Sequence, residues 1–418
     1  MKKIYASIIT IGDELLIGQV IDTNSSWIAQ ALNQAGILVK NRVAVGDNRE
    51  DIWQALDDAI AKADLVLITG GLGPTADDIT KPLLCDYFGG KMVMDQDTLD
   101  HVTMIFERIL KRPMIERNRL QAQVPDVCTV LKNEKGTAPG MLFTKQDAKI
   151  IAMPGVPHEM KWIMRHHVLP NIPQWYQTGF IEHRTLLTAG IGESFLAEKI
   201  KDFELALPAH IKLAYLPNYG MVRLRLSAWG MTLDTLNETL DSLFNQLKNN
   251  VLDYLVTDKD DPMEVVVGQL LTKRQQTVAT AESCTGGYIA HLLSKHAGSS
   301  IFFKGSIIAY ANIIKEQLLN VPHETLMTVG AVSKDTVTQM VQAVLSTMNT
   351  DYAIAVSGIM GPGGATDEKA VGLVWIAVAS KDRLIVKDFQ FRFDRDRNIE
   401  LTAINALNLL RGLIVDNS

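Results

Sequence analysis

Short apolar runs alternate with amphipathic stretches over residues 1–170. IYASIITIG is apolar enough for a strand covered on both faces. DTNSSWIAQALNQAG follows with helical spacing, Asp22 or Thr23 as its cap and Gly36 as its stop. ILVKNRVAVG predicts a second strand. DNREDIWQALDDAIAKA predicts a second helix, opened by a capping box between Asp47 and Glu50. DLVLITGG is a third apolar strand that ends in glycines. This β-α-β-α-β order implies a parallel sheet covered by helices, with ligands at the carboxyl ends of its strands.

The texture changes over residues 171–256. LPNIPQWYQTG reads as a linker, HRTLLTAGIG as a strand and ESFLAEKIKDFE as a helix. IKLAYLPNYGMVRLRLSAWG reads as two strands joined by a Pro-Asn-Tyr-Gly turn, and a leucine-rich helix closes the module. The acidic TDKDDP stretch marks the next boundary. From there to residue 418 helices and strands alternate again. The expected fold class is therefore α/β. An N-terminal parallel-sheet domain (1–170) is followed by a small α+β module (171–256) and a C-terminal α/β domain (257–418).

Length and composition agree with this division. The 418 residues exceed what one core usually serves. A hydrophobic share of 47% and a charged share of 21% are those of a globular chain. The formal net charge of -6 does not favour a general nucleic-acid binder. Three widely spaced cysteines, Cys85, Cys128 and Cys284, form no disulfide framework and no CxxC zinc pair. A reduced, cytoplasmic setting is expected. The opening MKKIYASIITIGDELL imitates a signal peptide, but its apolar run meets Asp13 and Glu14 early, and no stretch is long enough for a membrane helix.

Three loops of the first domain each follow a predicted strand: IGDEL (11–15), TGGLGPTADD (69–78) and MPGVPHEM (153–160). Glycines at a strand end let the backbone approach phosphate, and Asp13, Glu14, Asp77, Asp78 and Glu159 are hard oxygen donors suited to Mg²⁺. The alternative is that the glycines only turn the chain and the acids cap helices. Together the loops resemble the molybdopterin-binding (MoaB/MogA-like) domain at the N-terminus of CinA-family proteins. That resemblance implies metal-dependent ADP-ribose pyrophosphatase activity, or binding of a molybdopterin-type ligand in its place. It implies ligand contacts at Gly12, Asp13, Gly70, Gly71, Gly73, Thr75 and Gly155. It assigns Asp78, Asp77 and Asp13 to a divalent metal such as Mg²⁺, with potassium as a second candidate ion.

The third domain holds TAESCTGG (280–287), where a strand runs into a helix past three adjacent candidate nucleophiles, Ser283, Cys284 and Thr285. Amides at such a junction can hold an oxyanion or a phosphate. The lipase-type GxSxG elbow is absent. His291, His296 and His323 read as ordinary surface or half-buried histidines. In GSIIAYANIIKEQ (305–317) a strand is expected to end at Tyr310, with Lys315 one turn into the next helix. Lysine is a general base only when neutral, so its pKa must be lowered, and Tyr310 can relay a proton or orient the pair. AVSGIMGPGGATDEKAVG places Ser357 and Gly358 at a strand end before a glycine-rich loop. FDRDRN places Arg395 and Arg397 at a strand-to-helix junction, where one can grip phosphate or both can cap with Asp394 and Asp396.

These four motifs, in this order, resemble the CinA C-terminal domain, the nicotinamide mononucleotide deamidase family, and residues 171–256 are similar to that family's KH-like module. The resemblance implies hydrolysis of nicotinamide mononucleotide to nicotinic acid mononucleotide and ammonia, without a cofactor. Ser283 is then the nucleophile and Lys315 its base, helped by Tyr310. Thr285, Gly286, Gly287, Asn312, Ser357, Gly358 and Arg395 contact the substrate, with Arg395 on the 5′-phosphate and backbone amides of 285–287 on the oxyanion or phosphate. A homodimer is expected. Two other readings stand beside this one: activity confined to the N-terminal domain, and a non-enzymatic competence or DNA-damage role. The second is disfavoured by the acidic charge and by a KH-like module without a basic-flanked GxxG loop.

Overall fold

A computed structural model describes residues 3–75, 78–218 and 220–416. The chain divides into two compact units, Met1–Glu182 with Ala228–Thr239, and His183–Ser227 with Leu240–Ser418.

The first unit is built on strands β1 (Tyr5–Ile11), β2 (Leu38–Val45) and β3 (Leu65–Thr69). Strands β4 (Met92–Met94) and β5 (Gln123–Pro125) pair apart as a ribbon, while β6 (Thr129–Leu131), β7 (Gly140–Lys145) and β8 (Ala148–Met153) complete the main sheet. The order is β2-β1-β3-β8-β7-β6. Pairing is parallel from β2 to β8, as the sequence order implies, and becomes antiparallel along β8, β7 and β6, where a tight turn joins β7 to β8 and a longer loop joins β6 to β7. β3 is buried throughout. Apolar side chains on the two faces enter separate cores, Ile9, Val66 and Ile68 on one and Ile8, Leu65 and Leu67 on the other. The helices Thr23–Gln34 and Arg49–Ile60 begin where expected. Asp22 caps the first by accepting from the Ser25 amide. The second is capped by Asn48, not Asp47. Asn48 accepts from the Asp51 amide at 2.9 Å and its side-chain NH₂ donates to the Asp51 carboxylate at 2.6 Å, so the cap is shifted by one residue and the reciprocal bond runs side chain to side chain.

The second unit contains two sheets. Strands β9 (Phe180–Ala189), β10 (Ile211–Asn218), β11 (Met221–Gly230) and β12 (Leu255–Thr257) make a sheet in the order β10-β11-β9-β12. Strands β13 (Val278–Glu282), β14 (Phe303–Ile308), β15 (Tyr352–Gly358), β16 (Leu373–Ser380) and β17 (Leu384–Gln390) make a sheet in the order β14-β13-β15-β16-β17. The β13 pairings with β14 and β15 are parallel, and the β15-β16-β17 edge is antiparallel. Leu187 of β9 and Met221 of β11 share a core with Met263, Val267 and the C-terminal helix residues Leu407, Leu410 and Leu413. No helix among the described residues is long and apolar enough to cross a membrane.

Candidate active site

β13 lies between two parallel neighbours in its sheet, and its carboxyl end carries the Ser283 turn. The Ser283 amide donates to Val356 of β15 at 3.1 Å, which pins the last residue before the turn to the sheet. Gly286 and Gly287 follow at φ +59° and +98°, the left-handed region that glycine enters without a Cβ penalty. A Cβ on Gly287 would lie 2.9 Å from Ile308 Cδ1. The chain can therefore reverse tightly enough to start the helix Tyr288–Ser294 directly behind Ser283.

Ser283 and Lys315 meet although they lie far apart in sequence. Lys315 Nζ is 3.0 Å from Ser283 Oγ, and it also contacts the carbonyls of Ala309 at 2.8 Å and Tyr310 at 3.3 Å. Lys315 is only 1% exposed, and burial lowers its pKa from the ordinary lysine value. The three contacts match the three N–H groups of an ammonium; when the amine loses one proton, two N–H groups remain for the carbonyls and its lone pair faces the Ser283 hydroxyl. Cys284 is buried too, and burial pushes its thiol up to about 12. A thiol held protonated is a poor nucleophile at neutral pH, whereas the Ser283 hydroxyl has Lys315 Nζ beside it.

A cavity of about 260 Å³ opens beside this pair, lined in part by Tyr310, Asn312, Ser357, Gly358 and Arg395. β14 ends at Ile308, two residues before Tyr310. The Tyr310 phenol, expected to relay a proton or orient the pair, accepts instead from Arg395 Nη2 at 2.9 Å, and only its backbone carbonyl reaches Lys315. Arg395 Nη1 donates to the Gly361 carbonyl at 2.9 Å, so the arginine ties the glycine-rich loop to the Tyr310 segment. Arg397 lies over the Phe393 ring at 4.2 Å, and Asp394 caps its amide. Ser357 is buried, and its hydroxyl donates to the Ala331 carbonyl at 2.7 Å, leaving its lone pairs rather than its proton for a ligand. The Gly287 amide and the Thr285 hydroxyl donate to Glu282, and the Gly286 amide to Ser283 O. The amides of 285–287 expected at an oxyanion are thus partly committed. Thr285, Gly286 and Gly287 line a separate hollow with Tyr288 and His291 rather than the cavity beside Ser283, which Cys284 does border.

In the first unit the three loops do converge. They line a cavity of about 460 Å³ at the carboxyl ends of β1, β3 and β8, to which Gly70, Gly71, Gly73, Asp78, Gly155, Glu14 and Glu159 contribute. Gly70 (φ +117°) and Gly71 (φ +64°) have no room for a side chain: a Cβ would come within 2.1 Å of Ile11 O and of Thr80 Oγ1 respectively. Asp78 accepts from the Thr75 amide at 3.0 Å and from the Thr75 hydroxyl, shaping the loop. Gly12, Asp13 and Thr75, expected as ligand contacts, are not among the lining residues. Asp13 is held by Asp47, whose amide it accepts at 3.2 Å and whose carboxylate takes its own amide at 3.1 Å. Asp77 lies outside the described residues.

Family models match the chain in three consecutive stretches: "Probable molybdopterin binding domain" at residues 7–174, "Damage-inducible protein CinA KH domain" at 183–257 and "CinA C-terminal domain" at 260–414. A CinA-like protein of Cytophaga hutchinsonii is 44% identical over 98% of this chain and 97% of its own length. The chain belongs to the CinA-like family. A second CinA-like protein, from Flavobacterium psychrophilum, is 43% identical over 99% of both chains. A solved structure of competence/damage inducible protein CihA from Agrobacterium tumefaciens is 37% identical, covering 36% of this chain and 93% of that one with a TM-score of 0.36.

Two residues that hold this CinA-like site together were not legible as such. Glu282 is fully buried, and its carboxylate accepts from the amides of Gly287 (3.1 Å), Ile289 (3.1 Å) and Ala290 (2.8 Å) and the hydroxyls of Thr285 (2.7 Å) and Thr280 (3.2 Å). It acts as an internal anion at the start of the helix and fixes the Ser283 turn against it. Asn398, also fully buried, donates to the carbonyls of Met360 at 3.1 Å and Phe393 at 2.9 Å, seating the segment that carries Arg395. Glu282 lies within TAESCTGG, where an acid just before a helix start is the sequence signal for such a role. For Asn398 there is none. The metal expectation fares differently. Among the described residues no three His, Cys, Asp or Glu side chains gather as metal donors. Asp78 is occupied with Thr75, Glu159 accepts from Asn133 at 2.6 Å, and Asp13 is paired with Asp47. Among the described residues these carboxylates do not gather on one ion position, and Asp77, the remaining expected ligand, lies outside them.

Proposed function

We propose that the second unit hydrolyses the carboxamide of nicotinamide mononucleotide, releasing ammonia and nicotinic acid mononucleotide. The observation that carries this reading is the 3.0 Å contact between Ser283 Oγ and a buried Lys315 Nζ that has two carbonyls for its remaining protons. Neutral Lys315 takes the Ser283 proton as Oγ bonds to the carboxamide carbon. The resulting oxyanion is met by backbone N–H at the turn after Ser283, where Cys284 borders the cavity. The C–N bond then breaks, the proton passes from Nζ to the departing nitrogen, and ammonia leaves an acyl-serine. Water adds to the acyl carbon while Lys315 takes its proton. The C–Oγ bond breaks, the proton returns to Ser283, and the carboxylate product departs. Arg395 uses one N–H on Gly361 and one on Tyr310, which leaves three for the substrate's phosphate. The test is ammonia release from nicotinamide mononucleotide by the full chain and by Ser283→Ala. A loss of at least about a thousandfold is expected; equal release by both removes the serine from the mechanism.

A second reading attaches to the first unit, favoured by the convergence of three loops on one cavity with two glycines that admit no side chain. This cavity takes a nucleotide with a pyrophosphate group, of which ADP-ribose is the candidate. Calorimetric titration with ADP-ribose, with Mg²⁺ and with a chelator, checks it. Binding in both conditions supports recognition by the loops themselves, and no binding in either rejects the reading.

A further inference from the structure

We propose that Tyr310 is a specificity residue rather than a proton carrier: with Arg395 it forms a seat for the substrate's anionic tail. This rests on reading the Ser283 site as a nucleotide amidase. Tyr310 is 61% exposed, at the edge of the cavity, whereas the Ser283–Lys315 pair is buried. Its phenol oxygen accepts from Arg395 Nη2 at 2.9 Å. Lys315 meets Tyr310 only through the backbone carbonyl, a contact any residue at this position can make. With two carbonyls and Ser283 Oγ already on Nζ, the neutral amine has no donor or lone pair left for a phenol.

The phenol's other capacity is its own O–H. By accepting from Arg395 it keeps that proton free to donate to whatever anion the guanidinium holds. Arg395 Nη1 is fixed on Gly361 O at 2.9 Å, so the arginine is oriented from both sides before a ligand arrives. An anchored guanidinium and an adjacent phenol O–H together match a phosphomonoester, which offers several acceptor oxygens. A substrate without phosphate forgoes both.

The decisive variant is Tyr310→Phe in the full chain, which removes only the hydroxyl and leaves the carbonyl that Lys315 uses. Ammonia release is measured from nicotinamide mononucleotide and from nicotinamide riboside, which has the same amide and no phosphate, with inorganic phosphate as a competing anion. KM for the mononucleotide is expected to rise about tenfold with kcat lowered less than about threefold, the scale of one charge-assisted hydrogen bond. The preference for mononucleotide over riboside is expected to fall about tenfold, and inhibition by phosphate to weaken in step. The pH midpoint of kcat should stay where the wild type has it. A loss of about a hundredfold in kcat on both substrates, or a moved midpoint, makes Tyr310 a proton carrier and overturns the proposal. If the wild type releases no ammonia from either compound, the amidase reading itself has failed. The seat is then judged by calorimetric binding of nicotinamide mononucleotide, and equal affinity in wild type and Tyr310→Phe overturns it.

Discussion

Replacing Glu282 by glutamine keeps the side chain's size and removes its charge. Oε2 accepts from two amides and the Thr285 hydroxyl, and Oε1 from the Ala290 amide and the Thr280 hydroxyl. Glutamine has one acceptor oxygen and one NH₂, so in either orientation its NH₂ faces a backbone N–H. The better orientation keeps the oxygen at the three-donor position and orphans Ala290. Each surviving bond loses its charge assistance, about 1 kcal/mol, and the orphaned buried amide costs about 1–3 kcal/mol. Relief from burying a charge returns part of this. A net loss of about 3 kcal/mol follows, or a fall of roughly 6–12 °C in Tm for a unit of this size. Glu282→Ala leaves every donor unanswered and should cost more. The Ser283 turn is displaced with the helix, so kcat should drop by about a hundredfold while KM moves little. Thermal melts followed by circular dichroism, with ammonia release on the folded fraction, supply both readouts. A glutamine variant within about 0.5 kcal/mol of wild type, or an alanine variant more stable than the glutamine one, refutes the view of Glu282 as an internal anchor.

Three further outcomes are expected. Cys284→Ala should fold with a loss of about 1 kcal/mol and keep most of its ammonia release, since the thiol is held protonated; abolished turnover in a folded variant moves the nucleophile to Cys284. Because Lys315 must be neutral to act and burial lowers its pKa, kcat/KM should rise with pH as Nζ loses its proton, and Lys315→Met should lower it by about a thousandfold at every pH. In the first unit, burial lowers buried Lys81 to about 8 from 10.5, so the unfolded chain holds more protons between these values and stability should rise with pH across that window. Below pH 8 the cost of keeping Lys81 charged is about 3 kcal/mol. Lys81→Met should therefore flatten the rise in denaturant titrations at a series of pH values, despite losing the 2.8 Å bond to the Gln121 carbonyl.

Much was readable because it is local. Buried strands such as β3 and β13 are apolar runs, and the helices behind them carry their caps and stops in the next few residues. The cap slipped from Asp47 to Asn48 because adjacent Asp and Asn are near-equal caps, and only the exit path of the chain chooses between them. The three loops of the first unit were expected at one sheet edge because parallel strands put every carboxyl end on the same side.

Sequence by itself determined the fold class, the strand ends that carry the site and the residue types available there, since these follow from apolar periodicity and glycine placement. Tertiary structure alone decided which of those residues act together. Packing brought the expected base Lys315 to Ser283 and buried it against the Ala309 carbonyl, and it buried Cys284 deeply enough that desolvation outweighs the nearby Lys315 and Arg395 charges and holds its thiol protonated. The Tyr310 hydroxyl turned to Arg395, distant in sequence, and Glu282 took the Gly287 amide, one of those an oxyanion was expected to use. Each outcome depends on desolvation and on hydrogen-bond direction between segments remote along the chain, quantities that no local pattern encodes.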